Sequence, residues 1–165
     1  MADARATASQ LIQKLGGALQ QEMAAGGPER AITVCRDVAP RLAGELSRTS
    51  GARVSRVSLK SRNPLLGEPD EWEQKVLMDF DRRVAAGEKP EALEQSEIVD
   101  EPQGRYFRYM KALPVQPLCL SCHGAVLAEP VKAKLAAEYP HDRAFGYTLG
   151  QIRGAVTIKK IEAAR

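Results

Sequence analysis

Apolar residues recur every fourth position at Leu11, Leu15, Leu19 and Met23, and this stripe predicts an amphipathic helix over residues 3–25. Gly26-Gly27-Pro28 then stops that helix and offers a proline suited to the first turn of the next. In the second helix Ile32, Cys35, Ala39, Leu42 and Leu46 follow at alternating steps of three and four, which puts Cys35 on the apolar face. Pro40 has no N–H to meet the carbonyl of Arg36, so a kink is expected close to Cys35.

Residues 53–60 mix polar and β-branched positions and predict a strand, followed by a loop at Asn63-Pro64 and Gly67. Pro69-Asp70-Glu71 opens a helix with Trp72, Val76, Phe80 and Val84 on one stripe, ended by Gly87. Met23 and Met78 are read as core residues of their helices. Residues 94–100 and 105–113 predict two strands joined at Glu101-Pro102-Gln103-Gly104, with Pro114 and Pro117 ending the second. A short helix is expected after Pro130, up to about Tyr139. A turn at Gly150 then leads into a closing strand with Ile152, Gly154, Val156 and Ile158 on one face. There is no internal repeat. The order of elements predicts an α+β fold with a small antiparallel sheet flanked by helices.

At 165 residues the chain suits one domain able to fold without disulfide staples. The 24 basic and 21 acidic residues leave a net charge of only +3, spread along the chain, so nucleic acid is not an expected partner. No apolar run reaches the length of a transmembrane helix. The first residues, Met1-Ala2-Asp3-Ala4-Arg5, contain no apolar segment of the signal-peptide kind.

The chemistry concentrates in Cys119-Leu120-Ser121-Cys122-His123, the C-x-x-C-H pattern of covalent haem attachment. Two thiols that add across the two vinyl groups of a porphyrin must sit a few residues apart on one turn. The adjacent His123 then reaches the iron as proximal ligand. Gly124 is expected to leave room close to the ring. Two other readings use the same residues. A thioredoxin-like dithiol needs a βαβ context that the chain lacks. A Cys₃His zinc site would have to recruit the distant Cys35.

The second axial position has several candidates. Met23 and Met78 fit helix stripes, Met110 sits in a strand near the haem peptide, and His141 lies in a surface turn between Pro140 and Asp142. Cys35 lies on an apolar helix face without an obvious disulfide partner, where a plain buried cysteine is the commoner explanation. Arg53, Arg56, Arg62, Arg105 and Arg108 are candidate partners for haem propionates, each equally well explained as a solvated surface arginine.

Several segments, in order, resemble bacterial c-type haem domains of unknown function that have a PAS-like fold and His/Cys axial ligation. They are Ala31-Ile32-Thr33-Val34-Cys35, Arg62-Asn63-Pro64, Pro69-Asp70-Glu71-Trp72-Glu73, Cys119-Leu120-Ser121-Cys122-His123-Gly124, Asp142-Arg143-Ala144-Phe145-Gly146-Tyr147 and Gly150-Gln151-Ile152-Arg153-Gly154-Ala155. The loop Leu65-Leu66-Gly67-Glu68 is one residue longer than the family pattern, and Gln151 stands where an Asp is usual. The resemblance implies a PAS-like haem domain over residues 28–165, preceded by an N-terminal helix over residues 1–27. It also implies one covalent haem c, held by Cys119 and Cys122 and ligated by His123 and Cys35. A thiolate ligand that can leave on reduction would suit a redox sensor or a sensor of diatomic gases such as CO and NO. A periplasmic electron carrier with a redox partner protein is the alternative. Catalysis is not expected, because no distal acid–base pair is visible and a bound thiolate would block the site. Monomer and homodimer both remain open. Covalent haem attachment points to a periplasmic or other extracytoplasmic location, with any leader removed.

Overall fold

The structure, a computed structural model, is described for residues 1–162. Helix α1 (Ala2–Thr33) is broken at Gly26 and Gly27, where Gly27 adopts φ 70°, a left-handed value that glycine takes without penalty. The break falls where the sequence put the boundary between two helices. The chain continues through a π-helical turn, Val34–Val38, into α2 (Ala39–Ser50). The N–H of Ala39 reaches the carbonyl of Val34, five residues back, and this wider turn is the form taken by the kink expected before Pro40.

Four strands follow: β1 (Arg53–Val57), β2 (Glu94–Glu101), β3 (Gly104–Pro114) and β4 (Ile152–Ile161). They form one antiparallel sheet in the order β1-β4-β3-β2. Between β1 and β2 come the single turn α3 (Pro64–Gly67) and α4 (Glu71–Ala85). The latter starts with a reciprocal capping box, in which Asp70 accepts from the Glu73 N–H and Glu73 from the Asp70 N–H. Between β3 and β4 lie α5 (Leu120–His123) and α6 (Glu129–Glu138). The expected α+β class is observed, and the elements not foreseen are short: α3, α5, and the 3₁₀ turns at Pro90–Ala92 and Pro117–Cys119.

Strand alternation divides the core between the two faces of the sheet. Val54, Tyr109, Val156 and Ile158 pack against Ala4, Ala8 and Leu11 of α1 and Leu46 of α2. The alternate residues Val57, Met110, Ala112 and Ala155 pack against Val76, Leu77 and Phe80 of α4. Met110 therefore belongs to the core under α4 rather than beside the C-x-x-C-H peptide, and Met78 is exposed rather than part of the core. Ile152 also departs from expectation by joining the α4 side. The register slips between Leu113, opposite Gly154, and Pro114, opposite Ile152. Proline cannot donate to the ladder, and the resulting bulge reverses the alternation at Ile152. It also leaves Arg153 as the extra, unpaired residue.

Candidate functional site

A cavity of about 890 Å³ opens between the sheet and the helices, within the range of roughly 300–1,000 Å³ usual for ligand and cofactor sites. Leu15, Leu19 and Met23 of α1 contribute to its wall, so the stripe that predicted this helix serves the cavity beyond Leu11. Cys35, Cys119, Cys122 and His123 all line the same space. Three segments far apart in sequence thus meet there: the π-helical turn, the C-x-x-C-H peptide and the start of β4. All three cysteines are free thiols and half-buried.

The C-x-x-C-H peptide is shaped by its own backbone. Pro117 begins a 3₁₀ turn to Cys119, whose N–H donates to the Gln116 carbonyl at 2.9 Å, and α5 follows directly. Cys119 and Cys122 consequently sit one turn apart. At Gly124, which ends α5, an added Cβ would lie 2.6 Å from the Leu120 carbonyl oxygen. The glycine is required for this backbone approach.

The segment 142–147 closes over the peptide. The N–H of Tyr147 donates to the His123 carbonyl at 2.9 Å, and that of Gly146 to the Gly124 carbonyl at 3.0 Å. Nδ1 of His123 lies 2.7 Å from the Ala144 carbonyl oxygen. A carbonyl can only accept, so the proton belongs on Nδ1 and Nε2 keeps its lone pair, as a metal-ligating histidine requires. Desolvation, followed by the positive charges of Arg153 and Arg62, holds His123 well below the ordinary histidine range, so the ring is neutral. Burial pushes the Cys122 thiol up, and burial likewise pushes the Tyr139 phenol on the cavity wall up to about 12.

Four arginines line the cavity: Arg36, Arg56, Arg62 and Arg153. Arg62 is buried, pairs with Asp142 at 3.0 Å, and donates to the carbonyls of Cys122 and Ala144 at 2.5 and 3.2 Å. Arg153 lies along the imidazole, its Nε 3.1 Å from Nδ1 and 3.5 Å from Nε2, while its Nη1 donates to Ser58 Oγ at 2.8 Å. Of the arginines proposed from sequence, only Arg56 and Arg62 line this space. Arg108 is buried in an ion-pair cluster with Asp70, Glu73 and Glu101, and Arg105 faces Asp100. Arg53 is exposed on β1. His141 is exposed and outside the cavity lining.

Sequence reasoning missed Arg153 and the Ala144 carbonyl. Arg153 falls in the segment Gly150-Gln151-Ile152-Arg153-Gly154-Ala155, but its direction depends on a bulge that no local pattern announces. A backbone carbonyl carries no residue-type signal at all. Among the described residues, no three His, Cys, Asp or Glu side chains come together as a metal-holding group, which disfavours the Cys₃His zinc alternative. The donor set fits a haem instead: two thiols one turn apart, an imidazole with a free Nε2, and an apolar cavity beside them.

No curated protein matches the chain. A solved crystal structure, that of the cyanobacterial heme-protein Tll0287, superimposes with a TM-score of 0.74 at 26% sequence identity, covering 99% of this chain and 96% of that one. The family model Tll0287-like matches residues 1–160. This chain belongs to the Tll0287-like family.

Proposed function

We propose that this chain is a monohaem c-type cytochrome with Cys119 and Cys122 as the covalent attachment points, His123 as proximal ligand and Cys35 as the opposite, thiolate ligand. The observation that carries the reading is the His123–Ala144 contact. It fixes the imidazole tautomer and leaves Nε2 as a lone-pair donor beside two free thiols. Membership of a family whose solved relative is a heme-protein supports it independently.

When bound, the haem would supply a one-electron couple and an axial position whose ligand can change. The protein's own residues set the terms. His123 enters neutral and already oriented, so ligation costs no proton there. Cys35 must lose a proton to ligate, as thiols generally do when they meet a metal. An anionic sulfur donor stabilises the ferric over the ferrous state and favours a low potential. Protonation of Cys35 on reduction would release it and make the distal side available to CO or NO. Cys35 lies in a π-helical turn between the Gly26-Gly27 break and Pro40, so movement there need not unwind a regular helix.

The proposed role is accordingly redox or diatomic-gas sensing, without enzymatic turnover, in an extracytoplasmic compartment where covalent attachment normally occurs. No helix among the described residues is long and apolar enough to cross a membrane. Electron transfer to a partner protein is the second reading, favoured by the mild positive charge of +3 for an acidic partner.

The deciding experiment is absorption and electron paramagnetic resonance of the ferric protein beside Cys35→Ser, with CO added to both after reduction. Thiolate low-spin features that vanish in the variant, and CO binding by the reduced native protein, support the sensor. Identical spectra remove Cys35 from the coordination sphere and favour the carrier. A protein made with the attachment machinery that shows no haem band refutes the haem reading.

A further inference from the structure

We propose that Arg56 and Arg153 form a two-point clamp for carboxylates inside the cavity and take the two propionate groups of the bound haem, an inference that rests on the haem reading above. The cavity lining holds four arginines and no aspartate or glutamate. Two of the four are already neutralised, Arg36 by Asp37 and Glu138 and Arg62 by Asp142. Arg56 and Arg153 pair with no carboxylate among the described residues. A guanidinium facing an apolar, partly desolvated space is costly unless an anion meets it, and its planar fork matches a carboxylate with two parallel hydrogen bonds.

Neighbouring strands present the two side chains. Arg56 stands opposite Val156 in the β1–β4 ladder, and both line the cavity together with Val54. Arg153 is aimed by the β4 bulge, a common device for redirecting a side chain beside a site. Its hydrogen bonding is incomplete in a telling way. Nη1 is committed to Ser58, but Nε rests against an imidazole whose Nδ1 proton already belongs to Ala144. With Nε2 of His123 given to iron, Nε and Nη2 of Arg153 would have no protein acceptor, and a carboxylate would supply one.

The test compares ferric haem with its dimethyl ester, titrated into the full-length chain produced without the attachment machinery. The free acid is expected to bind at least about tenfold more tightly than the ester, because charged hydrogen bonds of this kind change affinity by that much or more. In the variant carrying Arg56→Gln and Arg153→Gln, the preference for the acid over the ester should disappear. The variant with Arg56→Lys and Arg153→Lys should keep part of the preference, and thermal unfolding by circular dichroism identifies any variant that fails to fold. Equal binding of acid and ester by the native chain, or a preference that survives in the Gln variant, would overturn the clamp while leaving the haem reading intact. Binding of neither porphyrin by the native chain would overturn both. In the covalently loaded protein, the Gln variant should lower the midpoint potential, since losing cations beside the haem disfavours the reduced state. An unchanged potential in that variant counts against the clamp.

Discussion

Arg62 donates from Nη2 to the backbone carbonyl of Cys122 at 2.5 Å, tying the loop after β1 to the turn that carries both thiols. The same guanidinium pairs with Asp142 at 3.0 Å, and Asp142 in turn accepts from the Ala144 N–H at 2.7 Å. Ala144 supplies the carbonyl that orients His123. One buried cation therefore fixes both the C-x-x-C-H peptide and the histidine tautomer. Arg62→Ala leaves the nearly buried Asp142 unpaired, and removing one partner of such a pair costs about 3–5 kcal/mol. The expected result is a lower urea midpoint together with a smaller fraction of chains carrying covalent haem, read by haem staining against total protein. A normal midpoint with full attachment would show that Arg62 organises neither.

Gly124→Ala tests the close approach at the end of α5. The new Cβ would meet the Leu120 carbonyl oxygen at 2.6 Å, and this oxygen is backbone and cannot swing aside. Relief requires the peptide after His123 to move, which loosens the contacts of Gly146 and Tyr147. Overpacking of this sort costs roughly 1–3 kcal/mol, so the melting temperature should fall by several degrees. The ferric spectrum should broaden as the histidine loses its single orientation. An alanine variant with native melting and spectra would mean that the turn adjusts freely.

Acid should act on the packing of α1 against the sheet. The hydrogen bond from Arg5 pulls the Glu94 carboxyl from its ordinary 4.5 down to about 2, helped by the buried Tyr109 hydroxyl, which donates at 2.8 Å. A carboxyl depressed in the folded state adds stability that is present above its unfolded value and lost as pH falls toward the folded one. The window is therefore about pH 4.5 down to about 2. Glu94→Gln should flatten the fall in unfolding free energy across that window and leave the neighbouring range above pH 6 with the same slope. Identical acid profiles for the two proteins would exclude this contact as a source of acid sensitivity.

Most of this architecture was legible because local patterns agree with the fold. The α1 stripe, the capping residues at Asp70 and the turn between β2 and β3 each encode an element in a few neighbouring residues. The C-x-x-C-H motif was equally plain as a motif, since its residues are contiguous. What stayed hidden depends on contacts between distant segments. Arg108 looked like the other surface arginines, yet β3 carries it under α4 into a cluster of carboxylates. Ile152 followed the even-numbered face of β4 until a bulge opposite Pro114 turned it over. Arg153 acquires its place from that same bulge, and no alternation rule locates an inserted residue.

The Arg108 cluster gives a final prediction that separates stability from the candidate site. Its guanidinium is almost fully buried and pairs with Asp70 at 2.6 Å, Glu101 at 3.1 Å and Glu73 at 3.2 Å. It lies 4.6 Å from the ring of Trp72, the chain's single tryptophan. Glu73 is also buried, and its carboxylate further accepts from the Thr157 hydroxyl at 2.8 Å and the Asp70 N–H at 2.9 Å. Arg108→Leu strands this carboxylate without its cation and should destabilise the fold by about 3–5 kcal/mol, seen as a lower urea midpoint. Trp72 fluorescence should change in the folded variant, because the cation over its ring is gone. Adding Glu73→Gln removes the stranded charge and should recover part of the loss. Arg108 is absent from the cavity lining, so the ferric haem spectrum of folded Arg108→Leu should match that of the native protein. A variant with native stability but an altered haem spectrum would reverse this assignment, making Arg108 part of the site rather than of the frame that holds α4 to the sheet.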